Sequence, residues 1–103
     1  MIRRPIHPTR RSSRRARRAL DSARVIDDVV NTQLVLVSRL PDEDRRRAAD
    51  FLAELVMLAQ AYRHFAAGWI HRRELERRGL ETMRRLSLLR HRRASAAQFT
   101  EQD

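Results

Sequence analysis

Over the stretch ALDSARVIDDVVNTQLVLVSRL, residues 19–40, apolar side chains recur with helical phase, and no other feature of the sequence constrains the fold as strongly. At about 100° per residue, Ala23, Val29, Val30, Gln33, Leu34, Leu36, Val37 and Leu40 fall within about 80° of Ile26, while Asp21, Arg24, Asp28, Asn31 and Ser38 fall outside. The LVLV run alone would suit a strand. The length of the stretch and its phase together predict a helix over about 19–40.

Pro41 interrupts that pattern, and PDEDRRR opens a new one. A proline sits at the first turn, followed by Asp42, Glu43 and Asp44, where the helix dipole favours negative charge. On a second helix from Asp42, the residues Phe51, Leu55, Leu58, Tyr62, Phe65 and Trp69 share one sector, with Ala48, Ala59 and Ala66 beside it. The expected role of this sector is a core packed on Ile26, Val30, Gln33 and Val37; a base-stacking platform is the alternative for its aromatics. Gln33 lies inside the apolar stripe, where a paired amide fixes register and a rim position lets it reach water.

The second stripe ends after Ile70, because the next in-phase positions are Arg72, Arg73 and Glu76. Gly79 reads as a C-cap, so the second helix is expected over about 42–78. Leu80, Met83, Leu86, Leu88 and Leu89 then predict a third, basic helix over about 80–93, followed by a flexible polar tail over 94–103. The result is an all-α chain, an antiparallel helical hairpin plus a third helix. Two glycines, three prolines and a 35% charged fraction agree with this and argue against sandwiches and barrels. Both apolar faces are wider than one hairpin seam covers, so a homodimeric helical bundle is expected.

Charge is unevenly distributed. All 23 basic residues are arginine, a bias that codon composition alone produces, so the distribution carries the information. Residues 1–18 hold Arg3, Arg4, Arg10, Arg11, Arg14, Arg15, Arg17 and Arg18 and no acid, a net +8, whereas 19–40 and 41–66 each carry −1 and 67–103 carries +4. With Pro5, Pro8 and the lone Ile6, the first segment reads as a disordered basic arm, with RRARRAL becoming helical once phosphate neutralises it. Arg77, Arg84, Arg85 and Arg92 share one side of a helix and make a second basic patch. Such clusters point to a nucleic acid, DNA or RNA, held through its phosphates, because each neutralised phosphate releases counterions. An acidic protein surface is the alternative partner, gripped by a helical adaptor, inhibitor or assembly subunit. RELERRGLETMRRLSLLR also admits a helix-turn-helix reading with Gly79 in its turn, although Leu75, Arg78 and Arg85 fit that motif poorly.

Catalysis is not expected. The sequence has no P-loop, GxGxxG, GxSxG or HExxH motif, no cysteine and no lysine. Asp27, Asp50 and Glu54 read as solvated boundary charges. His64 and His71 lie about 10 Å apart along a helix, too far to share a metal, so neither metal nor cofactor is expected. No export signal is read, no run approaches the ~20 apolar residues that span a bilayer, and the expected location is cytoplasmic.

Overall fold

A computed structural model of the protein describes the backbone of residues 10–101 and the side chains of residues 13–91. These residues form three helices, α1 (Arg10–Val37), α2 (Asp42–Ala66) and α3 (Arg72–Glu101), and no strand. The all-α expectation holds. Several of its boundaries move.

The first is the start of α1. The helix begins at Arg10, nine residues before the apolar stripe does, so residues 10–18 are its opening turns; residues 1–9 lie outside the described residues. Arginine and alanine are among the stronger helix formers, and a helix built of them extends without any apolar periodicity to announce it. At its other end α1 tightens: Arg39 N–H donates to Leu36 O at 3.2 Å and Leu40 N–H to Val37 O at 3.0 Å. Pro41 has no N–H to continue the ladder and disfavours α geometry at Leu40. Its carbonyl instead accepts the first bond of α2, from Arg45 N–H at 2.8 Å.

The second is the end of α2, which lies at Ala66 rather than 78. Gly68 adopts φ 79°, a left-handed conformation that costs glycine nothing. Around it, Gly68 N–H donates to Phe65 O at 3.0 Å and Trp69 N–H to His64 O at 2.9 Å. These are the two bonds of a Schellman motif. Trp69 is therefore outside α2 and does not continue its aromatic stripe. The third correction follows: Gly79 is an interior residue of α3, so the break expected there and the helix-turn-helix built on it are both overturned. The tail expected over 94–103 is helical as far as Glu101.

α2 is the central element. α1 packs on one side of it and α3 on another, and α1 and α3 make no contact among the described residues. Against α1, Val30, Val37 and Leu52 are buried, with Ile26, Ala48 and Leu55 packed around them. The buried α1 positions Ala19, Ala23, Val30 and Val37, with half-buried Ile26, follow the 4-3 spacing of a helix–helix seam. Gln33 occupies the next position of that seam and is exposed. On the opposite side of α2, Glu54 and His64 reach Arg85 and Arg78 of α3. Phe51, Leu58, Tyr62 and Phe65 fall between the two packed sides and are half-buried. The molecule is elongated, 60 × 27 × 25 Å.

Candidate nucleic-acid interface

A short turn joins α1 to α2, so the two helices run antiparallel, and an ion pair between Asp27 and Arg63 fixes their relative height. From Asp27 back to Arg18 is nine residues, a rise of about 13 Å, so the start of α1 overhangs the end of α2. The α2–α3 turn and the first residues of α3 lie at that same end. The fold therefore brings the basic start of α1 to the same end of the molecule as Trp69, His71, Arg72 and Arg73, more than fifty residues later in the chain.

The start of α1 is built as two unlike sides. Arg14, Arg15, Arg17 and Arg18 project over a sector of about 160°, whereas Ser13, Ala16 and Ala19 fall on the other side. That second side is inward: Ala19 is buried and Ser13 and Ala16 are half-buried. Arg14, Arg15, Arg17 and Arg18 are exposed. Among the described residues, no carboxylate lies within ion-pair distance of these four. The side chains of Arg10 and Arg11, and all of Arg3 and Arg4, lie outside the described residues.

The basic patch expected on α3 is arranged differently. Arg77 donates to Glu74 through Nη2 at 2.6 Å and Nε at 3.0 Å, and its Nη1 stands 3.4 Å from Glu81 Oε2. Arg78 Nε donates to Glu74 at 3.1 Å. These hydrogen bonds, Arg77's first and then Arg78's, hold the Glu74 carboxyl at about 2 against an ordinary 4.5, and Glu74 in turn raises Arg77. Arg85 lies 3.6 Å from Glu54 across the α2–α3 interface, so Glu54 is not the solvated boundary charge the sequence suggests. Arg84 is exposed without an ion pair among the described residues, and the side chain of Arg92 lies outside them. Arg84 also lies away from the α1 arginines, level with the middle of α2, because α3 runs back along α2 and the neighbouring Arg85 meets Glu54.

The fold adds Trp69, Arg72 and Arg73 to the basic end, residues that the sequence singles out without grouping them with the arm. Arg73 is exposed and has no ion pair among the described residues, while Arg72 donates to Glu76 at 3.1 Å. Trp69 is 52% exposed. Its ring centroid lies 5.3 Å from that of His64, with the planes inclined at 37°. His64 Nδ1 stands 3.4 Å from Arg78 Nη1; since a guanidinium only donates, the imidazole nitrogen accepts. The missed signal was Gly68, which ends α2 just before Trp69 and turns the indole off the aromatic stripe.

The remaining chemistry is sparse. Asp50, Ala53, Glu54, Arg85, Leu88 and Leu89 line a shallow cleft of about 320 Å³. Among the described residues no three His, Cys, Asp or Glu side chains are placed to hold a metal, and no helix is long and apolar enough to cross a membrane. No protein-family model, characterised protein or solved structure is detectably similar to this chain.

Proposed function

We propose that the protein is a non-catalytic nucleic-acid-binding protein that holds phosphate backbone through the basic end of its helical bundle. The observation that carries this reading is the contrast between two sets of arginines. Those on α3 at Arg77, Arg78 and Arg85 are occupied by carboxylates of the same chain, whereas Arg14, Arg15, Arg17 and Arg18 are exposed, crowded and, among the described residues, uncompensated. Like charges so close repel until an anionic partner relieves them, and a polyphosphate chain returns counterion entropy for each contact.

Replacing all four of these arginines by glutamine in the full chain tests it. Binding to duplex and single-stranded oligonucleotides across a salt series should weaken, and the log–log salt slope should flatten by about 4 units on duplex DNA or about 3 on single strands. An unchanged slope would remove these arginines from the site. A second reading rests on the exposure of Trp69, which suits a protein-interaction module gripping an acidic surface. Absence of nucleic-acid binding by the wild-type chain at physiological salt would favour that reading.

The same proposal includes a homodimer. Val25, Val29 and Leu36 form an exposed apolar stripe on α1, about 100° around from the seam with α2, with Thr32 near its middle. Thr32 Oγ1 donates to Asp28 O at 2.8 Å, so its hydroxyl is already satisfied. In an antiparallel hairpin, stripes rotated in the same sense from their shared seam lie on one side, which places this stripe beside Phe51, Leu58, Tyr62 and Phe65. Charge supports a two-fold, antiparallel pairing of the α1 helices centred between Thr32 and Gln33. It sets Asp42, Glu43 and Asp44 of each copy toward the arginines at the start of the other's α1, whereas parallel pairing sets like charge on like.

A further inference from the structure

We infer that Trp69 is a stacking platform for an unpaired base, so that the basic end takes single-stranded nucleic acid or a single-stranded segment of a folded one. This rests on the nucleic-acid reading above and names its ligand class. Four observations lead to it.

Trp69 is placed by the backbone rather than by a core. It is the residue after the left-handed Gly68, and the Schellman bond from its N–H to His64 O fixes its position within one turn of α2. In this motif, that residue and the one whose carbonyl it caps usually make an apolar contact. Here the contact is indole on imidazole, at 5.3 Å. Secondly, His64 lies against the indole, and Trp69 remains 52% exposed. A tryptophan left half in water forgoes much of the stabilisation that burial gives an aromatic of its size and leaves that surface open to a ligand.

Thirdly, His64 is itself held, by Arg78, and Arg78 by Glu74, so the support of the indole is braced from α3. A platform held in place before binding loses little side-chain entropy when a base lands on it. Fourthly, the surroundings supply the rest of a single-strand site. Exposed Arg73 lies four residues on in the chain, and the four arginines of α1, uncompensated among the described residues, occupy the same end of the molecule. Aromatic platforms within a basic track are how proteins hold unpaired strands, because every base has a π-face and every nucleotide a phosphate. In a duplex those faces are covered by neighbouring base pairs, so a flat platform of this kind has nothing to stack on.

Trp69 is the only tryptophan in the chain, so its fluorescence reports on this site alone. The full-length protein would be titrated with a single-stranded oligonucleotide, with an abasic deoxyribose-phosphate oligomer of the same length, and with duplex DNA. Quenching of Trp69 by the single strand, with little or none from the abasic oligomer, is the expected result. Trp69→Ala should weaken single-strand binding roughly tenfold or more while leaving the salt slope unchanged, since stacking carries no charge.

Single-strand binding with unaltered tryptophan emission would overturn the stacking inference and leave the phosphate-binding proposal standing. So would equal affinity in Trp69→Ala. Failure of the wild-type chain to bind any of the three ligands would overturn both. Should Trp69→Ala lose helicity by circular dichroism, Trp69→Phe and Trp69→Leu decide, as both keep an apolar contact on His64 and only phenylalanine keeps a π-face. Retained binding by the first and loss by the second supports stacking; equal binding by the two overturns it.

Discussion

Arg85 Nη1 stands 3.6 Å from Glu54 Oε2 across the α2–α3 interface, and that oxygen is buried without a hydrogen-bond partner. At this distance the pair is held by charge alone, and Arg85 is the counter-charge to a carboxylate only 17% exposed. Arg85→Ala should therefore destabilise the fold by about 1–3 kcal/mol. Glu54→Gln, which removes the charge and keeps the shape, should cost less. Urea midpoints of the two variants check this; an Arg85→Ala protein as stable as wild type would show that water reaches Glu54.

The two glycines should respond oppositely to alanine. Gly68 has a positive φ, so Gly68→Ala strains the Schellman turn and should cost about 1 kcal/mol. A Cβ at Gly79 meets nothing within 4 Å, and Gly79 is an interior helical residue, so Gly79→Ala should stabilise by about 0.5–1 kcal/mol. Thermal unfolding of both variants decides it. A destabilising Gly79→Ala would mean that α3 is broken there after all.

Glu74 supplies a pH dependence whose sign is fixed. Its carboxyl is lowered from 4.5 to about 2 in the folded chain, chiefly by the hydrogen bond from Arg77 and then by that from Arg78. A depressed carboxylate stabilises the fold at pH values above its unfolded value, and that stabilisation is lost as pH falls from 4.5 through about 2. The side-chain carboxyl carbon of Glu74 should titrate with a midpoint near 2 by NMR. Glu74→Gln should lack the corresponding acid-range loss of helicity. A midpoint in the ordinary carboxylate range would mean that the Arg77 and Arg78 contacts do not persist in solution.

The antiparallel dimer makes a cross-linking prediction in a chain with no native cysteine. A two-fold centred between Thr32 and Gln33 places position 29 opposite position 36, both within α1. Under oxidation, a mixture of Val29→Cys and Leu36→Cys proteins should give the mixed disulfide, and either alone should give little. Homodisulfides from each variant by itself would indicate parallel pairing. Leu36→Asp should yield a helical monomer in sedimentation, because Leu36 is 53% exposed within one chain and its substitution leaves the core intact.

Periodicity made two of the helices legible, because a helix that packs on one side must repeat its apolar residues every three or four positions. Pro41 marked the break between them just as plainly. The start of α1 escaped the same test: a helix of arginine and alanine has no apolar phase to detect. Gly79 misled because a glycine after HRRELERR looks like a cap, whereas whether a glycine ends a helix depends on its φ, and Gly68 has the left-handed one. On α2 the buried positions Leu52 and Ala59 lie beside the expected aromatic stripe, Leu52 filling the cluster with Val30 and Val37 and Ala59 allowing the helices to approach closely.

The sequence by itself determined the helical class, the Pro41 break and the concentration of positive charge at the start of the chain, all of which follow from local spacing and composition. Only the tertiary structure decided which charges remain available. Pairing with Glu74, Glu81 and Glu54 depends on side chains meeting across helix turns and between α2 and α3, and it compensates the charges of Arg77, Arg78 and Arg85 within the chain. The antiparallel course of α1 and α2 likewise brings Arg14–Arg18 to the end of the molecule that carries Trp69 and Arg73, a juxtaposition that no local pattern encodes.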